Sequence, residues 1–118
     1  MNKIINYITK EIIIEDENLS IKELVEKAVK EKISLEYADL YAEDLSCTDN
    51  INGDFRGCNF MGCDLSNSNF TNCDLSNTCF WDANITGIQL NGAILNGAKF
   101  DKSVKNYILD IIGIIFDN

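Results

Sequence analysis

The sequence predicts an all-β solenoid, and three observations predict it. From Leu35 to Phe100 every fifth residue is a large apolar side chain: Leu35, Leu40, Leu45, Phe55, Phe60, Leu65, Phe70, Leu75, Phe80, Ile85, Leu90, Leu95 and Phe100. Asn50 is the one lapse in the series. Two positions before these centres stands a small residue, as at Ala38, Thr48, Gly53, Cys58, Cys63, Ser68, Cys73, Thr78, Ala83, Ala93 and Ala98. Between the two stands a short polar residue such as Asp39, Asp44, Asp54, Asn59, Asp64, Asn69, Asp74 or Asn84. A period of five fits neither the 3.6 of a helix nor the 2 of a flat strand, so the stretch is an internal repeat.

The unit, small–(Asp/Asn)–(Leu/Phe)–x–x over Ile33–Lys102, resembles the pentapeptide-repeat family; Ala38-Asp39-Leu40 and Ala83-Asn84-Ile85 are clean copies. The resemblance implies a right-handed quadrilateral parallel β-helix, with one unit to a side and four units to a coil of twenty residues. In that fold the centre and the small residue both point inward, filling a narrow core in which large side chains need small neighbours. Stacked at the ordinary strand spacing, three and a half coils would make a rod about 17 Å tall.

The repeat divides the chain into residues 1–32, 33–102 and 103–118. Before the repeat, Lys3–Ile8 and Glu11–Glu15 are rich in isoleucine and read as a short hairpin. Ser20-Ile21-Lys22-Glu23 is a capping box, with Leu19 and Leu24 placed as a hydrophobic staple. Leu24, Val25, Ala28, Val29 and Ile33 follow at helical spacing, so Ile21–Lys32 reads as an amphipathic helix lying over the first coil. Hairpin and helix leading into such repeats resemble the layout of small phage-associated family members. After the repeat, Val104, Tyr107, Ile108, Ile111, Ile112 and Ile115 recur at helical spacing, while Leu109, Ile114 and Phe116 widen the stripe almost all round. A helix apolar all round is covered on both sides. One side should cap the last coil; the other is expected to meet a second copy through Tyr107, Ile108, Ile111, Ile112 and Ile115, as resemblance to gyrase protectors implies.

Charge marks two candidate surfaces. Nineteen acids face ten bases, for a net −9. From Glu36 to Asp82 there are nine carboxylates and one base, Arg56, so the acidity belongs to the rod. Nine charges over about 11 Å is one per roughly 1.2 Å, close to the one per about 1.7 Å of duplex DNA. Gyrase-binding members of the family are acidic rods read as DNA mimics, and this chain resembles them. The leading expectation is therefore an acidic inhibitor of a nucleic-acid-handling enzyme, a topoisomerase or a phage-defence nuclease of the CRISPR type. Its contacts would come from Asp39, Asp44, Asp54, Asp64, Asp74 and Asp82. The alternative uses Tyr41, Met61 and Trp81, which follow centres twenty residues apart and so stack in one outward column, as an ordinary protein-docking face.

Other classes find no support in the sequence. There is no histidine, no glycine-rich phosphate loop and no nucleophile beside a base, so the chain reads as no enzyme. The rod offers only Arg56, Lys99 and Lys102 for phosphates, against direct nucleic-acid binding. Cys58, Cys63 and Cys73 repeat at the repeat's own spacing and read as buried structural thiols, with Cys47 and Cys79 outward and no metal motif. No cofactor is expected. The start carries Lys3, Lys10 and Glu11 among its apolar residues and the longest apolar stretch holds Asp110, so neither a secretory signal nor a membrane span is expected, and a cytoplasmic location is. Two irregularities fall in the first coil, where Asn50 takes an apolar centre and Glu43 a small slot. They predict either an opened coil or an outward Glu43. In the last coil Ile88 overfills a small slot and Ile94 faces out.

Overall fold

The computed structural model describes residues 1–116, and of 105 and 112–116 the backbone alone. Element order is β1 (Asn2–Ile5), β2 (Ile12–Asp16), α1 (Ile21–Lys30), the repeat, a 3-10 turn (Lys102–Val104) and α2 (Lys105–Phe116). The repeat is not built from conventional strands. Its sides meet through single parallel bridges twenty residues apart: Asp39 with Asn59, Asp44 with Asp64, Asp49 with Asn69, Asp54 with Asp74, and onward to Cys79 with Lys99. Twenty residues hold four five-residue units, so the coil has four sides. Each side contributes one bridged residue and then turns.

The turn explains the period. From Ala38 onward the amide of every small residue but Thr48 donates back to the carbonyl of the preceding centre, as from Ala38 to Leu35 at 3.0 Å and from Cys63 to Phe60 at 3.0 Å. The residue just before each small residue sits in the left-handed region, from Lys32 (φ 60) through to Gly97 (φ 76). Gly and Asn occupy that third turn position readily and other residues do not. From residue 52 onward every such corner is Gly, Asn or Asp, namely Asn52, Gly57, Gly62, Asn67, Asn72, Asn77, Asp82, Gly87, Gly92 and Gly97. The first four corners, Lys32, Tyr37, Ala42 and Cys47, break the rule and hold about 1 kcal/mol of strain or more each.

Inside, the centres from Leu35 to Leu90 are buried, Leu95 and Phe100 are half-buried, and the phenylalanines among them form an aromatic ladder. Phe80 stacks on Phe60 at 5.2 Å and on Phe100 at 4.7 Å, with Phe55 and Phe70 packed at tilted and edge-on angles beside them. The small column is buried too, except for half-buried Glu43, Ala83 and Ala98, and its serine and threonines bond locally. Ser68 and Thr78 donate their hydroxyls to the carbonyls of Leu65 and Leu75 at 2.6 and 2.7 Å. The thiols of Cys58, Cys63 and Cys73 instead donate to carbonyls one coil back, at Leu35, Leu40 and Asn50, each at 2.8 Å.

The N-terminal elements join the first coil by hydrogen bonds. The hairpin pairs antiparallel, Ile4 opposite Ile14. It is shorter than the sequence pattern implies, because after Ile5 the chain leaves its partner strand and bridges the rod instead, at Asn6–Ala38. Helix α1 opens with the expected capping box at Ser20 and Glu23. It stops two residues before the expected Lys32. Lys32 turns left-handed (φ 60), its amide bonding Val29 and that of Ile33 bonding Ala28, which closes the last helical turn. Leu24, Val25 and Ala28 are buried, and the polar face reaches the rod through Lys22 to Ser46 and through Glu26, which accepts the Asp49 amide at 3.1 Å.

The first coil is not opened. Asn50 stays inward and wholly buried, and its amide keeps the rung to Asn69 at 2.8 Å. Glu43 is half-buried in its slot, and burial, aided by Asp39, raises its carboxyl above the usual range. Ile88 is buried and Ile94 exposed, as the pattern implies.

Candidate interaction surface

The polar residue before each centre aims the residue that follows it. Asp39 accepts the Tyr41 amide and Asn59 that of Met61, at 3.2 and 3.0 Å, so a short carboxylate or amide fixes each turn. The rungs Ala42 to Met61 (2.8 Å) and Gly62 to Trp81 (2.9 Å) then bring Tyr41, Met61 and Trp81 off successive coils on one face. Tyr41 is 59% exposed and Trp81 46%, with Met61 half-buried between them. The expected column exists.

Its neighbour is a feature the repeat pattern alone did not reveal. Leaving the hairpin, Tyr7 lays its ring edge-on to Tyr37 at 5.9 Å and donates its hydroxyl to the Gly57 carbonyl at 2.7 Å. A groove of about 260 Å³ results, its lining including Tyr7, Asn59, Met61, Cys79, Trp81 and Lys99. Burial raises the Tyr7 phenol above its ordinary value. A larger, open depression of about 730 Å³ lies elsewhere, between α1 (Glu26, Val29, Lys30) and the first coil (Asp49, Ile51, Asp54). Its walls mix both charges with Val29, Ile33 and Ile51 but hold no aromatic side chain, whereas Tyr7 and Trp81 line the smaller groove, which is the better docking feature.

The acids are arranged otherwise than a single patch. Asp44 with Asp64 and Asp54 with Asp74 form two columns half a coil apart, on opposite sides. Each carboxylate also serves its own turn. Asp64 accepts from the Ser66 amide and hydroxyl at 3.0 and 2.6 Å, and Asp74 likewise from Ser76. Asp44 accepts from Ser46 and lies 3.7 Å from Lys22; the Ser46 hydroxyl, most of all, holds its carboxyl below the usual range. Asp54 is engaged most, by Arg56 at 2.8 Å and Ser34 at 2.7 Å, and the guanidinium first among these holds its carboxyl at about 2. Arg56 also pairs with Glu36 at 3.6 Å. Asp82 is exposed, its amide donating to Asp101. Asp39 and Asp82 thus flank the aromatic column, while the other four lie around the rod.

Cys63 and Cys73 thiols are pushed up to about 12, and that of Cys58 well above its ordinary value, by burial above all. Cys47 is exposed and Cys79 half-buried. Among the described residues no group of three or more His, Cys, Asp or Glu side chains could hold a metal, and no helix is long and apolar enough to cross a membrane. In α2, Ile108 is buried against the chain's own core and Ile111 is half-buried. Tyr107 is exposed on its ring, while its hydroxyl accepts the Gly87 amide at 2.9 Å. The side chains of Ile112 and Ile115, expected at a dimer contact, lie outside those described.

Residues 44–82 match the family model of pentapeptide repeats, in eight copies. This stretch is a run of pentapeptide repeats. Two solved pentapeptide-repeat proteins are similar to it. HetL, involved in heterocyst differentiation regulation in Nostoc sp. strain PCC 7120, is 26% identical over 56% of this chain and 33% of its own, with a TM-score of 0.34. A pentapeptide-repeat protein from Cyanothece 51142 is 31% identical over 59% of this chain and 48% of its own, with a TM-score of 0.32. The matched region thus spans a third to a half of those pentapeptide-repeat chains. No curated protein matches.

Proposed function

We propose that this pentapeptide-repeat chain is a non-catalytic interaction protein that docks on a protein partner through the face formed by Tyr41, Met61 and Trp81. The observation that carries this reading is three large, partly apolar side chains held outward beside a groove of about 260 Å³, the size of one partner side chain. Trp and Tyr in such a setting are what binding hot spots are made of. Asp39 and Asp82 at the rim favour a partner with basic residues around its contact.

A second reading keeps the acidic rod as a mimic of duplex DNA, filling the basic cleft of a nucleic-acid-handling enzyme such as a topoisomerase or a phage-defence nuclease. It is favoured by Asp64 and Asp74, which have no cation within ion-pair distance among the described residues. Against it, the two acid columns face opposite ways, and one cleft meets one column at a time.

A partner captured from bacterial lysate separates the readings by titration. Trp81→Ala is expected to weaken binding by about 2 kcal/mol, roughly thirty-fold, with little dependence on salt. Asp64→Asn with Asp74→Asn, which keeps both turn acceptors, should leave the affinity nearly unchanged. The reverse order, with steep weakening by salt, would replace docking by mimicry.

The proposal extends to a homodimer through α2, whose Leu109 stays 53% exposed. Light scattering should then give about twice the chain's 13.3 kDa. A monomer mass at micromolar concentration sinks this part alone.

A further inference from the structure

We propose that Asn91 and Asn96, in the last coil, are sites of spontaneous backbone-assisted deamidation, and that Asn52 is protected from it by the fold. The chain has three Asn-Gly pairs: Asn52-Gly53, Asn91-Gly92 and Asn96-Gly97. In each, the glycine amide nitrogen can attack the asparagine side-chain carbon, because no Cβ on the following residue hinders the approach. The new N–C bond closes a five-membered succinimide, and ammonia leaves with the amide nitrogen and a proton from the glycine N–H. Water then opens the ring at either carbonyl, leaving aspartate or isoaspartate. Nothing beyond water is consumed.

The fold separates the three pairs. The Gly53 amide donates to the Asn50 carbonyl at 3.0 Å, and Gly53 is buried. Its nitrogen is tied in the turn and shielded from water. Gly92 and Gly97 occupy the corner position instead, whose amide elsewhere donates to the next coil, as Asn72 does to Asn91 and Asn77 to Asn96, both at 2.8 Å. Below Gly92 and Gly97 there is no further coil, and no described residue accepts from either amide. Both glycines and both asparagines are exposed. Among the described residues each of these peptide planes is bonded only through its carbonyl side, and it can swing the nitrogen onto the asparagine side chain. Every event converts a neutral amide to a carboxylate, and isoaspartate adds a backbone atom to a coil built on a strict count of five.

The experiment is a time course of the intact folded chain at mildly alkaline pH and physiological temperature, with peptide mapping that separates aspartate from isoaspartate. The urea-unfolded chain, where all three pairs should react alike, is the reference. In the folded chain Asn91 and Asn96 are expected to react near the unfolded rate, and Asn52 about tenfold slower or more, the factor that one protected backbone hydrogen bond supplies. The double variant Asn91→Gln with Asn96→Gln should lose the early mass gain. Equal rates at the three sites in the folded chain, or Asn91 and Asn96 as slow as Asn52, would overturn the proposal.

Discussion

Truncating Phe80 to alanine is expected to destabilise the chain by about 4 kcal/mol, the largest single loss available in the rod. The ring is 1% exposed and lies between two others, nearly parallel to Phe60 and wholly parallel to Phe100. Removing it leaves a cavity that Phe60 cannot close, because rungs on both sides fix its coil. The loss is shared by two interfaces at once, since a solenoid coil is stabilised by the coils above and below it. Phe80→Leu, which restores the other favoured centre residue, should cost about 1 kcal/mol. Urea denaturation of both variants checks the pair. A loss under about 1 kcal/mol for the alanine variant would mean that the aromatic ladder contributes little beyond a generic apolar filling.

The opposite sign is expected at Asn50. Its side-chain nitrogen donates to the Thr48 hydroxyl at 2.7 Å, but its oxygen is buried with no hydrogen-bond partner. Such an acceptor costs about 1–3 kcal/mol. Thr48 already donates its own proton to the Leu45 carbonyl at 2.8 Å, so it loses only an optional bond if the amide goes. Asn50→Leu has a similar volume, and the slot is one that every other coil fills with an apolar centre. The variant is expected to gain about 2 kcal/mol, seen as a higher urea midpoint with an unchanged slope. A neutral or negative result would show that a buried water satisfies the oxygen in the native protein.

Much of this architecture was legible because a period of five leaves so little freedom. The inward residues had to be those at Leu40, Phe60 and Phe80, and with a coil of twenty the outward alignment of Tyr41, Met61 and Trp81 followed by arithmetic. Burial of Cys58, Cys63 and Cys73 was legible for the same reason. What escaped the pattern lay where the repeat meets something else. Tyr7 precedes the repeat by many residues, and nothing in its neighbours says that it leaves the hairpin to wall a groove. The end of α1 escaped because Lys32, a residue that favours helix, is forced left-handed by the first corner of the coil. The corner column itself was visible as a run of Gly, Asn and Asp two places after each centre. The first four corners, Lys32, Tyr37, Ala42 and Cys47, hide it, because none of them marks a left-handed turn by its residue type. The twofold role of the acids was half legible: their position follows from the repeat, but their engagement with Ser46, Ser66, Ser76 and Arg56 depends on which residue comes two places on.

Those corners bear on a difficulty that any uniform stack faces. A core of interchangeable Leu and Phe cannot count, so a chain that skips a coil while assembling would still bury the same apolar surface. The corners differ from coil to coil. Tyr37 lies over Gly57, Asn67 over Gly87, Asn72 over Gly92 and Asn77 over Gly97, and in each pair a Cβ on the lower residue would strike the upper side chain. A slip of twenty residues sets Asn52 directly against Gly92, tolerably, but it also sets Tyr37 against Asn77, and a Cβ facing that ring where Gly57 now stands would lie 2.5 Å from it and force it to move. The order of coils is thus written at the edges of the rod, and its interior is free to be repetitive.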